Sequence, residues 1–325
     1  MQASGKYAGL SLALVSAIAF GGSGVAAKPL IEAGLDPLHM VWLRVAGAAL
    51  VLSPLAWRHR DLVRRKPLLL AGFGLVAVAG VQAFYFASLS RIPVGVALLL
   101  EYLGPALLLG WIRFVQRKPV TRSAAAGAAV AVVGLACVVQ IWAGLSLDLL
   151  GVLLGLAAAC CQAFYFVFAD QGSDGDDLPH PMGMIAYGMI IGTLVMTAVA
   201  RPWQMDWRVL GGDAAVGDLM VPAPALLAWV VLIATVFAYL TGVISVRRLS
   251  PQVAGVVACL EAVVATVLAW VLLGEHLATW QIVGGALVLG GAFIAQTSRP
   301  AGAGAGVGAG VAEPVAALDR DPSKV

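Results

Sequence analysis

The sequence predicts an all-α polytopic membrane protein with ten transmembrane helices, arranged as two inverted repeats of five helices each. Hydrophobic residues make up 61% of the 325 residues and charged residues only 11%, whereas about a quarter of an ordinary soluble chain is charged. The apolar residues recur in blocks of about 20 residues, which is the length of an α-helix that crosses a bilayer. Two segments of similar sequence, one in each half of the chain, indicate the repeat.

Ten apolar blocks, found with a window of about 19 residues, are separated by prolines, charged runs or short polar turns. In chain order they cover residues 8–27, 38–57, 68–90, 93–112, 123–142, 149–169, 181–200, 223–246, 252–273 and 279–297. The first block follows Lys6 and resembles a secretory signal. Its apolar stretch is longer than the roughly 7–15 residues of a signal core, so we expect an uncleaved first helix.

The basic residues predict that both termini lie in the cytoplasm. In that orientation the cytoplasmic segments carry 15 Lys and Arg residues and the external loops carry 4. The segment 170–180 is an exception, because it carries four aspartates and no Lys or Arg on the predicted cytoplasmic side. After Arg299 the sequence is rich in glycine and alanine, which predicts a flexible cytoplasmic tail over residues 298–325.

Similar sequences in the fourth and ninth blocks predict the internal repeat. Residues 89–105 read LSRIPVGVALLLEYLGP and residues 249–265 read LSPQVAGVVACLEAVVA, so each places a glutamate, Glu101 or Glu261, in mid-membrane. The fifth and tenth blocks share a spacing of threonine and glycine: Thr121, Gly127 and Gly134 against Thr279, Gly285 and Gly291. Because an odd number of spans separates the copies, the second enters the membrane from the opposite side. We therefore predict one repeat over residues 1–145 and a second over residues 146–297.

Three ionisable side chains lie inside apolar blocks, where a charge costs at least a few kcal/mol and indicates a functional role. Arg44 clamps a substrate carboxylate or pairs with a glutamate, or else it extends its long side chain toward the outer surface. Glu101 exchanges a proton or binds a substrate ammonium group, or else it forms a structural pair with Arg44 or a hydrogen bond to a neighbouring helix. Glu261, its counterpart in the second repeat, has the same functional and structural interpretations.

Amide and tyrosine side chains inside the blocks are further candidates for substrate binding. They are Gln82, Tyr85, Tyr102, Gln162, Tyr165 and Tyr239. Gln82 and Tyr85 lie three residues apart on one helical face, and Gln162 and Tyr165 repeat that spacing. Such side chains either line a cavity or hydrogen-bond to neighbouring helices. Glu275, in the turn after the ninth block, is expected to cap the start of the tenth helix or to hold the turn.

Four short motifs are typical of one transporter family. They are Trp42-Leu-Arg44, the stretch from Ile92 to Pro105, Leu260-Glu-Ala and Leu273-Gly-Glu275. In these motifs the chain resembles the EamA family of the drug/metabolite transporter superfamily over about residues 7–297, and it looks closest to the amino-acid exporter branch that includes the threonine/homoserine exporters. Many relatives have Gly-Glu where this chain has Gly110-Trp-Ile-Arg113, and Glu-Pro where it has Glu261-Ala. The resemblance implies a bacterial inner-membrane carrier with ten helices and a central cavity.

These features predict a secondary-active transporter that exports a small polar metabolite, an amino acid or a derivative, by alternating access, with proton coupling as one driving force. Two alternatives remain open, a membrane-embedded enzyme acting on a lipid-linked substrate and a passive channel. The sequence contains no HExxH, GxSxG or Walker motif, and its four cysteines lie in apolar blocks without metal-site spacing. We therefore expect no enzyme activity, no metal and no cofactor. The expected partners are the small-molecule substrate and the lipid bilayer, not nucleic acid, and the protein is expected to be a monomer or a homodimer.

Overall fold

An α-helix occupies each of the ten positions at which the sequence predicts a membrane span. The computed structural model describes residues 2–117, 119–140, 147–171, 180–246 and 251–297. In chain order the helices are α1 Gln2–Glu32, α2 Pro37–Arg58, α3 Pro67–Leu89, α4 Val94–Val115, α5 Arg122–Val139, α6 Leu149–Gln171, α7 Pro181–Ala200, α8 Ala223–Ser245, α9 Pro251–Leu273 and α10 Thr279–Thr297. Apart from α1, which extends further at both ends, the helix ends agree with the predicted blocks to within three residues.

Most of these helices have the length and hydropathy of membrane spans. Among the described residues, seven helices (α1–α5, α7 and α8) are long and apolar enough to cross a bilayer. The described apolar stretches of the other three are shorter: Leu149–Phe164, Cys259–Leu273 and Thr279–Ala295. The chain is therefore a largely helical polytopic membrane protein. The predicted tail, residues 298–325, and most of the acidic segment, residues 172–179, lie outside the described residues.

A short β-hairpin between α7 and α8 is an element that was not predicted from the sequence. Strand β1, Asp213–Val216, pairs antiparallel with β2, Leu219–Pro222. In the turn between them Gly217 has φ 58°, a left-handed conformation that glycine adopts without steric cost. Each strand is only four residues long, so the alternation of polar and apolar residues that marks a strand has almost no length in which to appear.

Polar side chains cap two helix starts on one side of the bundle. At α10 the backbone N–H of Ala278 donates to Oε1 of Gln281 at 2.9 Å. Glu275, which was expected to cap α10 or hold its own turn, instead accepts from the backbone N–H of Val94 at 2.9 Å, at the start of α4. The turn between α9 and α10 therefore packs on the N-terminus of a helix from the first half of the chain.

Helices α5 and α10 pack backbone to backbone through glycines. A Cβ atom at Gly127 would lie 2.7 Å from the carbonyl oxygen of Gly291, and one at Gly134 would lie 2.7 Å from that of Gly284. The earlier residue of α5 thus meets the later residue of α10, so the two helices run antiparallel. Gly285, which the sequence comparison aligned with Gly127, faces Leu99 of α4 instead.

Most of the larger helix–helix contacts connect the first five helices with the last five. Helix α1 packs against α8 and α9, and α6 packs against α3 and α4. Helix α2 packs against α7, α4 against α9, and α5 against α10. A set of buried polar side chains lies where α1, α2, α3 and α8 meet, next to α4 and α9.

Candidate functional site

Arg44 of α2 is buried in the middle of the bundle, with 3% of its surface exposed. Its Nε donates to Oγ1 of Thr235 at 2.8 Å, and its Nη1 donates to Oγ of Ser23 at 2.8 Å and to Oε1 of Gln82 at 2.9 Å. Nη2 donates to the carbonyl oxygen of Ala234 at 3.3 Å. The guanidinium therefore points inward and joins α1, α2, α3 and α8, so the alternative of a side chain extended to the outer surface is wrong.

The partners of this guanidinium among the described residues are all neutral. No carboxylate oxygen of a described residue lies within ion-pair distance of Arg44, and the ring of Phe86 lies 5.3 Å from its Cζ atom. Arg44 carries five N–H donors, and one N–H of Nη2 has no acceptor among the described residues. A buried charge that is hydrogen-bonded but not neutralised remains costly, and it attracts an anion.

Two buried carboxyl groups lie near Arg44 without pairing with it. Glu101 of α4 is 4% exposed and Glu261 of α9 is 8% exposed. The hydroxyl of Tyr102 lies 3.5 Å from Oε2 of Glu261, which is a long hydrogen bond. The carboxyl of Glu101 makes no hydrogen bond to the described residues. Both glutamates are close enough to Arg44 to interact with it electrostatically, so the site brings basic and acidic side chains together without a direct ion pair.

Helix α4 is broken directly after Glu101. Its first segment is Val94–Glu101, the next is Gly104–Gly110, and Tyr102 and Leu103 form a turn between them. Pro105 explains the break, because proline has no N–H to donate to the carbonyl of Glu101 four residues earlier. Broken helices inside a membrane are typical of transporter binding sites, since they expose backbone polar groups where a cavity forms.

Two tyrosines complete the cluster. Tyr239 of α8 is fully buried, and its ring packs edge-on against Phe20 of α1 at 5.0 Å between centroids. Its hydroxyl lies near Gln82 but makes no hydrogen bond of regular geometry with the described residues. Tyr85 of α3 is 6% exposed, and its hydroxyl lies against Gly24 of α1, where a Cβ atom would come within 2.6 Å of it.

The structure brings most of the predicted site residues together in this cluster. They are Arg44, Gln82, Tyr85, Glu101, Tyr102, Tyr239 and Glu261. Gln162 of α6 lies at the edge, with its side-chain oxygen against Gly104 at the break in α4. Tyr165 lies in α6, but its side chain is outside the described residues.

Sequence reasoning missed Ser23 and Thr235, which bind Arg44 directly. Ser23 lies in the run Gly21-Gly-Ser-Gly24, where a polar residue among closely packed glycines is a usable signal. Thr235 lies in an apolar helix and also donates to the carbonyl oxygen of Val230 at 2.7 Å. Because threonine commonly bonds within its own helix, nothing in the sequence distinguishes Thr235 from a structural threonine.

Comparisons with known proteins agree with this architecture. The pattern of the EamA-like transporter family matches residues 7–140 and 149–297. The threonine/homoserine exporter RhtA of Salmonella typhimurium strain SL1344 is 28% identical over 244 residues, which are 74% of this chain and 75% of the exporter. RhtA of Escherichia coli strain K12 is 27% identical over the same coverage. A solved crystal structure with 21% identity covers 91% of this chain and 99% of its own with a TM-score of 0.51, which shows a shared fold. This chain therefore belongs to the EamA-like transporter family, and it is a membrane transporter.

Proposed function

We propose that this protein is a secondary-active carrier that exports a small zwitterionic metabolite, an amino acid or a derivative of one. The observation that carries the proposal is the buried guanidinium of Arg44, whose hydrogen-bond partners among the described residues are all neutral and which lies near two buried carboxyl groups. An amino acid supplies the two groups that this site lacks, a carboxylate for Arg44 and an ammonium group for Glu101 or Glu261. The names of the similar exporters support the same class of substrate.

The proposed binding mode follows from hydrogen-bonding capacity. A carboxylate accepts the unused N–H of Nη2 and competes with Ala234, whose bond is the longest at 3.3 Å. Charge-assisted bonds of this kind are roughly twice as strong as neutral ones. Ser23 of α1 and Thr235 of α8 bind the same guanidinium. If the substrate draws hydrogen bonds of Arg44 away from these partners, the contact between the two halves of the chain changes.

We also propose that the ten helices form two inverted repeats, over residues 1–145 and 146–297, in a bacterial inner membrane with both termini in the cytoplasm. The family pattern matches the chain twice, once in each half. The contacts of α1 with α8 and α9 have counterparts in those of α6 with α3 and α4. Gly127 meets Gly291 and Gly134 meets Gly284, as expected if a two-fold axis runs between α5 and α10. Rocking of one repeat against the other around a fixed central site is the usual mechanism of alternating access.

The test is counterflow in proteoliposomes that hold a panel of unlabelled amino acids and related metabolites. We expect saturable uptake of one labelled solute, driven only by the internal pool of that solute. A passive channel gives no such uptake, and an enzyme returns a chemically altered solute. Absence of counterflow from a folded preparation, for every amino acid tested, would overturn the proposal.

The variant Arg44→Ala tests whether Arg44 binds the carboxylate of the substrate. We expect at least about a tenfold loss of counterflow, because one charge-assisted bond to a carboxylate contributes more than about 1.4 kcal/mol in a buried site. Arg91→Ala is the matched control, since Arg91 is an exposed arginine whose bond to Asp148 measures 3.4 Å, and it should transport like the wild type. Normal counterflow by Arg44→Ala would show that Arg44 does not bind the substrate.

A further inference from the structure

A second polar cluster lies at the end of the bundle that the charge distribution predicts to face outward. Nζ of Lys28, near the end of α1, forms an ion pair with Oε1 of Glu275 in the turn between α9 and α10. The other carboxylate oxygen of Glu275 accepts from the backbone N–H of Val94 at 2.9 Å. Nζ of Lys28 also lies 3.4 Å from the carbonyl oxygen of Ile92. One carboxylate thus ties together α1, the α9–α10 turn and the start of α4.

The Lys28–Glu275 ion pair is shielded from water, unlike the Arg91–Asp148 pair. The side chains of Lys28 and Glu275 are 15% and 13% exposed, whereas those of Arg91 and Asp148, paired on the same side of the bundle, are 43% and 40% exposed. Exposed pairs contribute little to stability, whereas removing one partner of a shielded pair leaves an uncompensated charge. Loss of one partner is therefore expected to matter more at Lys28–Glu275 than at Arg91–Asp148.

The geometry of Glu275 is set by the end of α9. Gly274 has φ 66°, a left-handed conformation in which glycine terminates a helix. The backbone N–H of Glu275 then bonds to the carbonyl oxygen of Ala269 at 3.2 Å, which fixes the residue at the start of the turn. Its carboxylate is held over the N-terminus of α4, where the helix dipole favours a negative charge.

A short rigid helix connects this cluster to the candidate site. The segment Val94–Glu101 begins at the amide that Glu275 binds and ends at the buried carboxyl of Glu101, and all eight of its residues are buried. It spans roughly 10 Å at 1.5 Å per residue. Because the helix breaks after Glu101, this segment can shift or tilt without moving the rest of α4.

We infer that Lys28 and Glu275 form the outer gate of the carrier, and that the segment Val94–Glu101 couples the opening of this gate to the environment of Glu101. The inference rests on the proposed carrier function, and it names the residues that control access to the site. In the structure the gate is closed. Opening separates Lys28 from Glu275, releases the start of α4 and exposes Ile92, which is 2% exposed in the closed state.

The gate is tested without any transported solute. Ile92→Cys is introduced into the full chain, and a membrane-impermeant maleimide is added, with the modified position identified by mass spectrometry. Adding Lys28→Gln should speed the labelling of position 92 about tenfold, because loss of one partner shifts the equilibrium toward the open state. Lys28→Arg keeps the ion pair and should label as slowly as the parent, and so should Arg91→Gln, which removes the exposed pair on the same side. If position 92 is labelled at the same rate with and without Lys28→Gln, the proposal that Lys28 and Glu275 form a gate is wrong.

The coupling to Glu101 has a separate readout. Dicyclohexylcarbodiimide modifies carboxyl groups in apolar surroundings, and Lys28→Gln should change the rate of modification at Glu101 by about tenfold while Lys28→Arg leaves it unchanged. A gate that opens without any change at Glu101 would overturn the coupling. Labelling of position 92 that depends on Lys28 in a protein without counterflow would contradict the carrier function and leave the gate intact. Counterflow by a protein whose labelling at position 92 does not depend on Lys28 would contradict the gate and leave the carrier function intact.

Discussion

At the scale of single residues, the main feature of the site is a buried arginine that has no charged partner among the described residues. Arg44 has partners on three other helices, yet none of the described partners is charged. A site built for stability alone would pair this guanidinium with a nearby carboxylate. Keeping Arg44 and Glu101 apart costs folding free energy, and the proposed binding of a ligand to both groups would account for that cost.

The depth of these residues could be predicted from the sequence, whereas their partners could not. Arg44 and Glu101 lie well inside apolar blocks, and position within a block is a local property of the chain. The bond from Arg44 to Thr235 joins residues 191 positions apart, and the bond from Val94 to Glu275 joins residues 181 positions apart. Such contacts depend on how the helices pack against each other, and this packing cannot be predicted from a single sequence.

Replacing Glu101 tests whether it carries the coupled proton. Glu101→Gln removes the only titratable group of that side chain and keeps its shape, so a carrier coupled through Glu101 should retain counterflow while its net transport no longer varies with a pH gradient. The measurement is counterflow and gradient-driven efflux from the same proteoliposomes over a range of pH.

Glu261→Gln is the matched variant, because Glu261 is the equivalent residue of the second repeat and accepts a long bond from Tyr102. If Glu101→Gln transports with unchanged pH dependence while Glu261→Gln loses it, the coupling residue is Glu261. If both variants keep the pH dependence, neither glutamate couples a proton to transport.

At the scale of helices and strands, most of the fold follows from the length of the apolar runs. The ends of α2 to α10 lie within three residues of the predicted blocks, because leaving the hydrocarbon region requires polar residues, prolines or glycines that are visible in the sequence. The break in α4 was not predicted, although Pro105 causes it, because a proline inside an apolar run also occurs in helices that only kink. The hairpin of β1 and β2 was missed because its strands are so short.

The packing of α5 against α10 predicts opposite effects for two adjacent glycines. A Cβ atom at Gly291 would lie 2.5 Å from the backbone nitrogen of Ala131, whereas one at Gly290 would meet nothing within 4 Å. We expect Gly291→Ala to destabilise the protein by about 1–3 kcal/mol, because the backbones must move apart. Gly290→Ala should be neutral or stabilising by up to about 1 kcal/mol, because alanine favours the helix.

Thermal unfolding in detergent, followed by the loss of monodisperse protein, compares these two variants with the wild type. A fall in Tm for Gly290→Ala equal to that for Gly291→Ala would mean that the two helices do not pack through the glycine face. Since the substitutions are identical and the residues are neighbours, a general intolerance of α10 to alanine would affect both alike.

At the scale of the whole molecule, the two halves meet along nearly every helix that surrounds the site. Arg44 of the first half is held by Ala234 and Thr235 of the second, and the proposed gate joins Lys28 of the first half to Glu275 of the second. The site and the gate therefore both lie at the boundary that alternating access requires to move. In the proposed mechanism, binding at the site and opening of the gate would therefore move the same boundary.

The orientation of the whole molecule in the membrane decides which compartment the gate faces. The excess of Lys and Arg in the segment 58–66 predicts that Arg60 is cytoplasmic and that Ser90, at the far end of α3, is external. Both residues are exposed, so cysteines at either position can react with an impermeant maleimide. On intact cells Ser90→Cys should be labelled, and Arg60→Cys only after the membrane is permeabilised. Labelling of both on intact cells would mean that α3 does not span the bilayer. The reverse pattern would place Lys28 and Glu275 at the cytoplasmic end, where the same ion pair would control entry of the solute instead of its release.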